Sequence, residues 1–215
     1  MGIFKIIIIL VIFLVLSFVL VVSVSLCLIT DKPRKFVKID DYSFNVGDIV
    51  VWGNPAFRGS CLSASTISCW THPGIVCTGS NFNDTYIAEL TPTGTRKISL
   101  SEWIDEAYGC RFGVVPYLGP NPFPEQEIKD AIDYLDDSVS YNPVGADWIK
   151  YIGPKTYSDV TTGKIVCSEY IMLLLQMIGV QPKVWDPMSF SPGDIAAVRF
   201  PTTEGYSYGE CIGFK

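Results

Sequence analysis

From Ile6 to Thr30 the chain carries no charged residue and is almost wholly Ile, Leu, Val and Phe, with Ser17, Ser23 and Ser25 as mild interruptions. Such a run constrains the fold more than any motif, because about 20 apolar residues suffice to span a bilayer. A cleaved signal peptide is the competing reading, but its apolar part is usually about 7–15 residues and ends at a small-residue cleavage site. This run is longer, and no such site follows it. Residues 1–30 therefore read as a transmembrane anchor, 31–42 as a polar juxtamembrane linker, 43–200 as the folded domain and 201–215 as a polar, glycine-rich, loose tail. Lys5 alone precedes the run, whereas Lys32, Arg34, Lys35 and Lys38 follow it, and positive flanks mark the cytoplasmic side. The expectation is a single-pass membrane protein whose domain lies in the cytoplasm or inside a membrane-bounded particle, with the basic cluster on the lipid bilayer's headgroups. Glycan on the sequon Asn83-Asp84-Thr85 would reverse that orientation.

Charge and cysteine usage narrow the function. A net charge of −6 argues against nucleic acid as a partner, since phosphate contacts need a basic face. Outside Cys27 the cysteines are Cys61, Cys69, Cys77, Cys110, Cys167 and Cys211, spaced unlike a small disulfide scaffold in a domain large enough to have its own core, so they read as reduced thiols. Cys69, His72 and Cys77 are close enough to suggest zinc, but their spacing fits no usual ligand set and a fourth ligand is wanting. Nothing in the sequence requires a metal, nucleotide or redox cofactor, and the oligomeric state is not legible in it.

Along the domain, Phe44 to Trp52 reads as a turn and a β-branched strand, and Gly53 to Ser68 as a loop. Trp70 to Cys77 and Thr85 to Leu90 read as a β-hairpin across the turn formers between them. Leu100 to Tyr108 reads as a short helix that Ser99 or Ser101 could cap, followed by a strand over Arg111 to Leu118. Pro124 opens a helix striped by Ile128, Ile132 and Leu135, and a loop spans Tyr141 to Tyr157. A second helix runs from about Cys167 to Ile178 and stops at Gly179. Ser191 to Val198 repeats the Gly-Asp-then-apolar form of the first strand, but two dipeptides do not establish a repeat.

Two groups carry chemistry. A hairpin turn centred between Ser80 and Asn81 sets His72, the single histidine, directly opposite Glu89, close enough for the carboxylate to fix the imidazole tautomer. A one-residue bulge would break that register. Cys167 opens its helix, where the positive potential favours thiolate. Ile171, Leu174 and Ile178 on the same stripe turn the sulfur toward the sheet. A structural histidine beside a chance acid, and an inert buried cysteine, account for each group taken alone; the convergence of the two favours nucleophile and base.

Taken in order, Gly47-Asp48-Ile49-Val50-Val51, Thr71-His72-Pro73-Gly74-Ile75-Val76, Glu89, Tyr141-Asn142, Val166-Cys167-Ser168-Glu169-Tyr170 and Ser191-Pro192-Gly193-Asp194-Ile195 resemble the circularly permuted branch of the NlpC-type papain-like superfamily, the YiiX-like hydrolases. The resemblance spans roughly Phe44 to Phe200. It implies an α+β fold in which an antiparallel sheet packs on the cysteine helix, here with one N-terminal transmembrane helix added. It further implies a membrane-anchored thiol hydrolase or acyltransferase in which Cys167 attacks a carbonyl, His72 carries the proton and Glu89 orients the ring. The acyl-enzyme thioester would form on a peptide, isopeptide or lipid acyl substrate. The backbone N–H of Cys167 would supply part of an oxyanion hole, with Tyr141 and Ser168 as oxyanion or substrate-binding residues. Pro73 departs from the family pattern and implies an edge or a bulge beside the histidine. A non-catalytic membrane-bound scaffold or binding module of the same fold is the alternative.

Overall fold

The structure is a computed structural model that describes residues 8–18, 33–53, 70–79, 82–107, 110–136, 138–141, 164–187 and 190–214. The strands are β1 (Lys35–Val37), β2 (Ile49–Gly53), β3 (His72–Thr78), β4 (Tyr86–Thr91), β5 (Gly94–Ser99), β6 (Arg111–Val115), β7 (Ser140–Tyr141), β8 (Lys164–Ile165) and β9 (Ile212–Phe214). The helices of the same region are α1 (Leu100–Glu106), α2 (Glu125–Asp136), α3 (Cys167–Met177) and α4 (Pro192–Ala196). Seven strands form one sheet in the order β1-β9-β6-β2-β3-β4-β5, and β7 pairs with β8 apart from it.

Strand alternation sorts the apolar residues onto the two faces of this sheet. Ile49, Val51, Ile75, Ala88, Leu90 and Val115 pack with Ile128, Ile132 and Leu135 of α2 and with the long apolar side of α3. Their neighbours Val50, Val76, Ile87 and Val114 pack on the other face with Phe44 and with Leu100 and Trp103 of α1. The chain enters β2 through Gly47, whose φ of +94° suits glycine, and through Asp48. That carboxylate is fully buried and accepts from Tyr42 Oη at 3.0 Å, Asn45 N at 2.9 Å and Tyr117 N at 2.8 Å. The Gly-Asp pair is thus a fastener between the start of β2 and the end of β6.

Two parts of the expected fold class are corrected. The sheet is mixed rather than antiparallel, because its edge strand β1 runs parallel to β9. Parallel pairing needs a long connection, and β1 and β9 have nearly the whole domain between them. The transmembrane helix is the second correction, and with it the single-pass membrane localisation. Among the described residues no helix is long and apolar enough to cross a membrane.

Smaller differences have local causes. Pro192–Ala196, whose Gly-Asp pair repeats that of β2, is a helix because Ser191 and Asp194 make a reciprocal capping box with Pro192 at the first helical position. The segment after Pro201 supplies β9, which lies between β1 and β6. Within residues 31–42, Lys35 opens β1 and Arg34 pairs with Glu210 at 3.4 Å. The loop expected over Gly53 to Ser68 and most of that over Tyr141 to Tyr157 lie outside the described residues.

Candidate active site

His72 is the first residue of β3 and stands directly across from Trp52 on β2, with ring centroids 5.2 Å apart. The ladder to β4 pairs Ile75 with Ala88 and Val76 with Ile87, then slips so that Thr78 meets Tyr86. Carried to the strand end, this register sets His72 opposite Thr91, two residues from the expected partner. A slip of one residue would have turned Glu89 to the other face, whereas a slip of two keeps both side chains on the same one. Glu89 therefore reaches His72 along the diagonal, a separation that long side chains bridge, and its Oε2 lies 2.6 Å from His72 Nε2. The edge or bulge expected at Pro73 is not there: β3 is an interior strand, and the bulge falls between Val76 and Thr78. Pro73, with no N–H to give, precedes the first recorded β4 pair at Ile75.

Glu89 is 1% exposed and, among the described residues, accepts from three side chains. Besides His72, Trp103 donates its indole N–H to Oε2 at 2.8 Å, and Arg96 donates Nε–H to Oε1 at 2.7 Å. Arg96 sits opposite Glu89 in the β4–β5 ladder. Its guanidinium also forks onto Glu106 of α1, with Nη1 donating to Oε1 at 2.9 Å and Nη2 to Oε2. The helix that brings Trp103 and Glu106 is set by Ser99, which accepts from Glu102 N at 3.2 Å while its own N–H donates to Glu102 at 3.1 Å. Burial alone would push the Glu89 carboxyl up, but His72 and Arg96 outweigh it and hold it below the usual carboxylate value.

Cys167 is the first residue of α3, so it meets the end of β3 rather than its face. Its buried Sγ lies 3.9 Å from Thr71 O. Burial pushes the His72 imidazole down, but the charge and hydrogen bond of Cys167, followed by those of Glu89, push it up to about 10. With Nε2 taken by Glu89, Nδ1 is the nitrogen left for the sulfur. The first-turn N–H groups of a helix have no partner inside it. Here the turn is steadied by Glu169, which accepts from Val166 N at 2.8 Å.

The structure thus gathers Cys167, His72 and Glu89, and it brings Tyr141 close. Tyr141 pairs with Ile165, two residues before Cys167, and burial followed by the Cys167 charge pushes its phenol up to about 12. Ser168 is fully buried, and its hydroxyl has no hydrogen-bond partner among the described residues. Of the suggested zinc ligands, Cys69 lies outside the described residues, and Cys77 Sγ donates to Tyr86 O at 3.5 Å. Among the described residues no group of three potential ligands could hold a metal ion, and Cys77, Cys110, Cys167 and Cys211 are free thiols.

Arg96, Trp103 and Glu106 were missed in the sequence. Their signal was the turn Thr91-Pro92-Thr93-Gly94, which folds Arg96 back onto Glu89 once Gly94–Ser99 is taken as a strand. No protein family matches the sequence, and no curated protein matches it. Among solved structures the chain is similar to metalloprotein yiiX from Escherichia coli O157:H7, at 12% identity and a TM-score of 0.47, over 78% of this chain and 97% of that one. A likeness of that size carries neither family membership nor activity to this chain.

Proposed function

We propose that the domain is a thiol hydrolase or acyltransferase in which Cys167 is the nucleophile, His72 its acid and base, and Glu89 the group that orients His72. The single observation that carries this reading is the placement of the only histidine between a helix-opening thiol and a buried, ionised carboxylate. Transfer of the Cys167 proton to His72 Nδ1 gives a thiolate beside an imidazolium that Glu89 stabilises. The sulfur attacks the carbonyl carbon of an amide or acyl ester, and the oxyanion is received by N–H groups in the first turn of α3. His72 returns its proton to the leaving nitrogen or oxygen, the carbon–heteroatom bond breaks, and an acyl thioester remains on Cys167. Water, or an acceptor alcohol or amine, then gives its proton to His72 and attacks the thioester, releasing acid or transferred product and restoring the thiol. Peptide, isopeptide and lipid acyl groups all suit these steps. The order of motifs along the chain, which resembles that of the permuted papain-like hydrolases, supports the same reading.

The test is the rate at which iodoacetamide alkylates Cys167 in the full chain as pH is varied, located by peptide mass spectrometry. The expected result is alkylation persisting well below the free-thiol pKa of about 8.5 and falling at least tenfold in His72→Ala. A rate that follows an ordinary thiol and ignores His72→Ala would overturn the enzyme reading and leave a binding or scaffolding module. Incubation with peptide, isopeptide and lipid acyl esters then identifies the substrate class by the mass added to Cys167.

A further inference from the structure

We infer that Arg96 is a positioning residue for this reaction: it pins Oε1 of Glu89 so that Oε2 stays on His72, and its permanent charge partly offsets the carboxylate so that His72 can release its proton. The inference rests on the proposed thiol chemistry and extends it to the groups behind the triad.

Glu89 has two oxygens and three donors. Oε2 serves both His72 and Trp103, and Oε1 serves Arg96. During the cycle His72 alternates between imidazolium and neutral imidazole, and the Trp103 N–H carries no formal charge. Among the described residues Arg96 is the one donor to Glu89 whose positive charge is constant, since a guanidinium does not deprotonate in proteins. With His72 as its only cation, the buried carboxylate would bind the imidazolium so strongly that the proton would be hard to pass to a leaving group. With Arg96 also present, Glu89 stays ionised when His72 turns neutral and holds it less tightly when charged. Glu106, more than half exposed, holds the guanidinium against β5 through both prongs. Among the described residues, the charged or titratable groups acting on Glu89 are His72 from β3 and Arg96 from β5, with Glu106 and Glu102 of α1 beyond Arg96 and Cys167 of α3 beyond His72.

Because the chain holds one histidine, an imidazole nitrogen signal in the 15N-histidine-labelled full chain reports His72 without assignment. Removing a fixed cation raises the pKa of every acid beside it. In Arg96→Met the His72 titration and both limbs of the Cys167 alkylation profile should move to higher pH, by roughly half a unit or more. Arg96→Lys, which keeps the charge, should bring them back toward wild type. Trp103→Phe, which removes a neutral donor, should lower the alkylation rate and leave the limbs in place. A uniform loss of rate in Arg96→Met with unmoved limbs, or a lysine variant no different from methionine, would overturn the inference. Arg96→Gln replaces methionine if that variant does not fold; failure of both to fold beside a folded Arg96→Lys would assign Arg96 to the structure alone and overturn it as well. If wild-type Cys167 alkylates as an ordinary thiol, it is the proposed function that fails. If it is hyperreactive and dependent on His72 while Arg96→Met is unshifted, only the role of Arg96 fails.

Discussion

Glu89 shows how much one side chain is asked to satisfy in this fold, because it accepts from a ring N–H, an indole N–H and a guanidinium with almost no water to help. Glu89→Gln preserves its shape, yet glutamine offers one oxygen and an NH2, so whichever way the amide turns it presents donors to a donor. The partly buried His72 and the inner side of Arg96 then lose their counter-charge. Urea unfolding at neutral pH should show a loss of about 3 kcal/mol, typical of breaking a buried ion pair from one side, and the His72 nitrogen signal should titrate at lower pH than in wild type. A variant within about 0.5 kcal/mol of wild type, the usual range for a surface change, would mean that Glu89 is far less committed than its contacts imply. His72, Glu89 and Cys167 could be singled out in the sequence because each is a chemically distinctive type at a marked place: the lone histidine, an acid in an apolar strand, a thiol opening a helix. Arg96 and Trp103 could not, since an arginine among polar residues and a tryptophan on a short helix have ordinary explanations until the strand between them is known.

At the scale of elements, β3 carries the site, and Gly74 sets how closely its neighbours approach. Gly74 pairs with Val50 on β2, and a Cβ built on it would lie 2.5 Å from Ile87 Cγ2 on β4. Ile87 is β-branched and stiff, so relief requires β4 to move, and β4 holds Glu89 two residues further on. Gly74→Ala should cost about 1–3 kcal/mol by overpacking. Ile87→Ala, a cavity mutation of about 2–5 kcal/mol alone, should offset part of that cost in the double variant, with a coupling above about 0.5 kcal/mol in chemical denaturation. Additive effects would show that β4 adjusts freely and that Gly74 does not set its spacing. The strands and helices with an apolar stripe were legible in the sequence for the reason that makes them core: β2, β3, β4, β6, α2 and α3 all bury a face. β5 was not, because it is an edge strand with one apolar residue, Ile98, among Thr95, Arg96, Lys97 and Ser99. α4 was left unassigned because its Gly-Asp pair repeats that of β2, while the residues that decide, Ser191 and Pro192, are capping residues outside any periodic pattern. The β3–β4 register was displaced because the pair next to the turn, Thr78 with Tyr86, already lies three residues from the expected pairing, and the bulge beyond it takes back one; neither the centre of a turn-forming stretch nor a bulge has a signature in side-chain type.

For the molecule as a whole, the buried charges fix how stability follows pH. His72 has a folded pKa pushed up from 6.5 to about 10, so its contribution is complete below about 6.5 and is lost as pH rises through 10. Glu89 is held below 4.5, so its contribution is complete above the unfolded carboxylate range and is lost as pH falls through the folded value. Asp48 opposes it, since burial first of all raises this carboxyl above 3.8 despite its three donors; its effect is a cost that sets in as pH rises past the unfolded value. The first two groups together place the maximum between the unfolded carboxylate pKa and that of unfolded histidine, roughly pH 4.5 to 6.5. On the alkaline side the proton that His72 keeps lowers stability by up to about 1.4 kcal/mol per pH unit. Where Cys167 is a thiolate, as proposed, the proton still held by the unfolded thiol offsets that fall, so in wild type the net decline starts near the free-thiol value of about 8.5. Urea unfolding of Cys167→Ala, with no thiol proton to offset it, should therefore decline from about pH 6.5 and level off at lower pH than wild type, because the charge that most strongly raises His72 is gone. His72→Asn should give a profile without that slope. An alkaline slope that survives unchanged in His72→Asn would place the proton elsewhere. The thiol and the imidazole would then not be the coupled pair from which both the stability profile and the proposed chemistry arise.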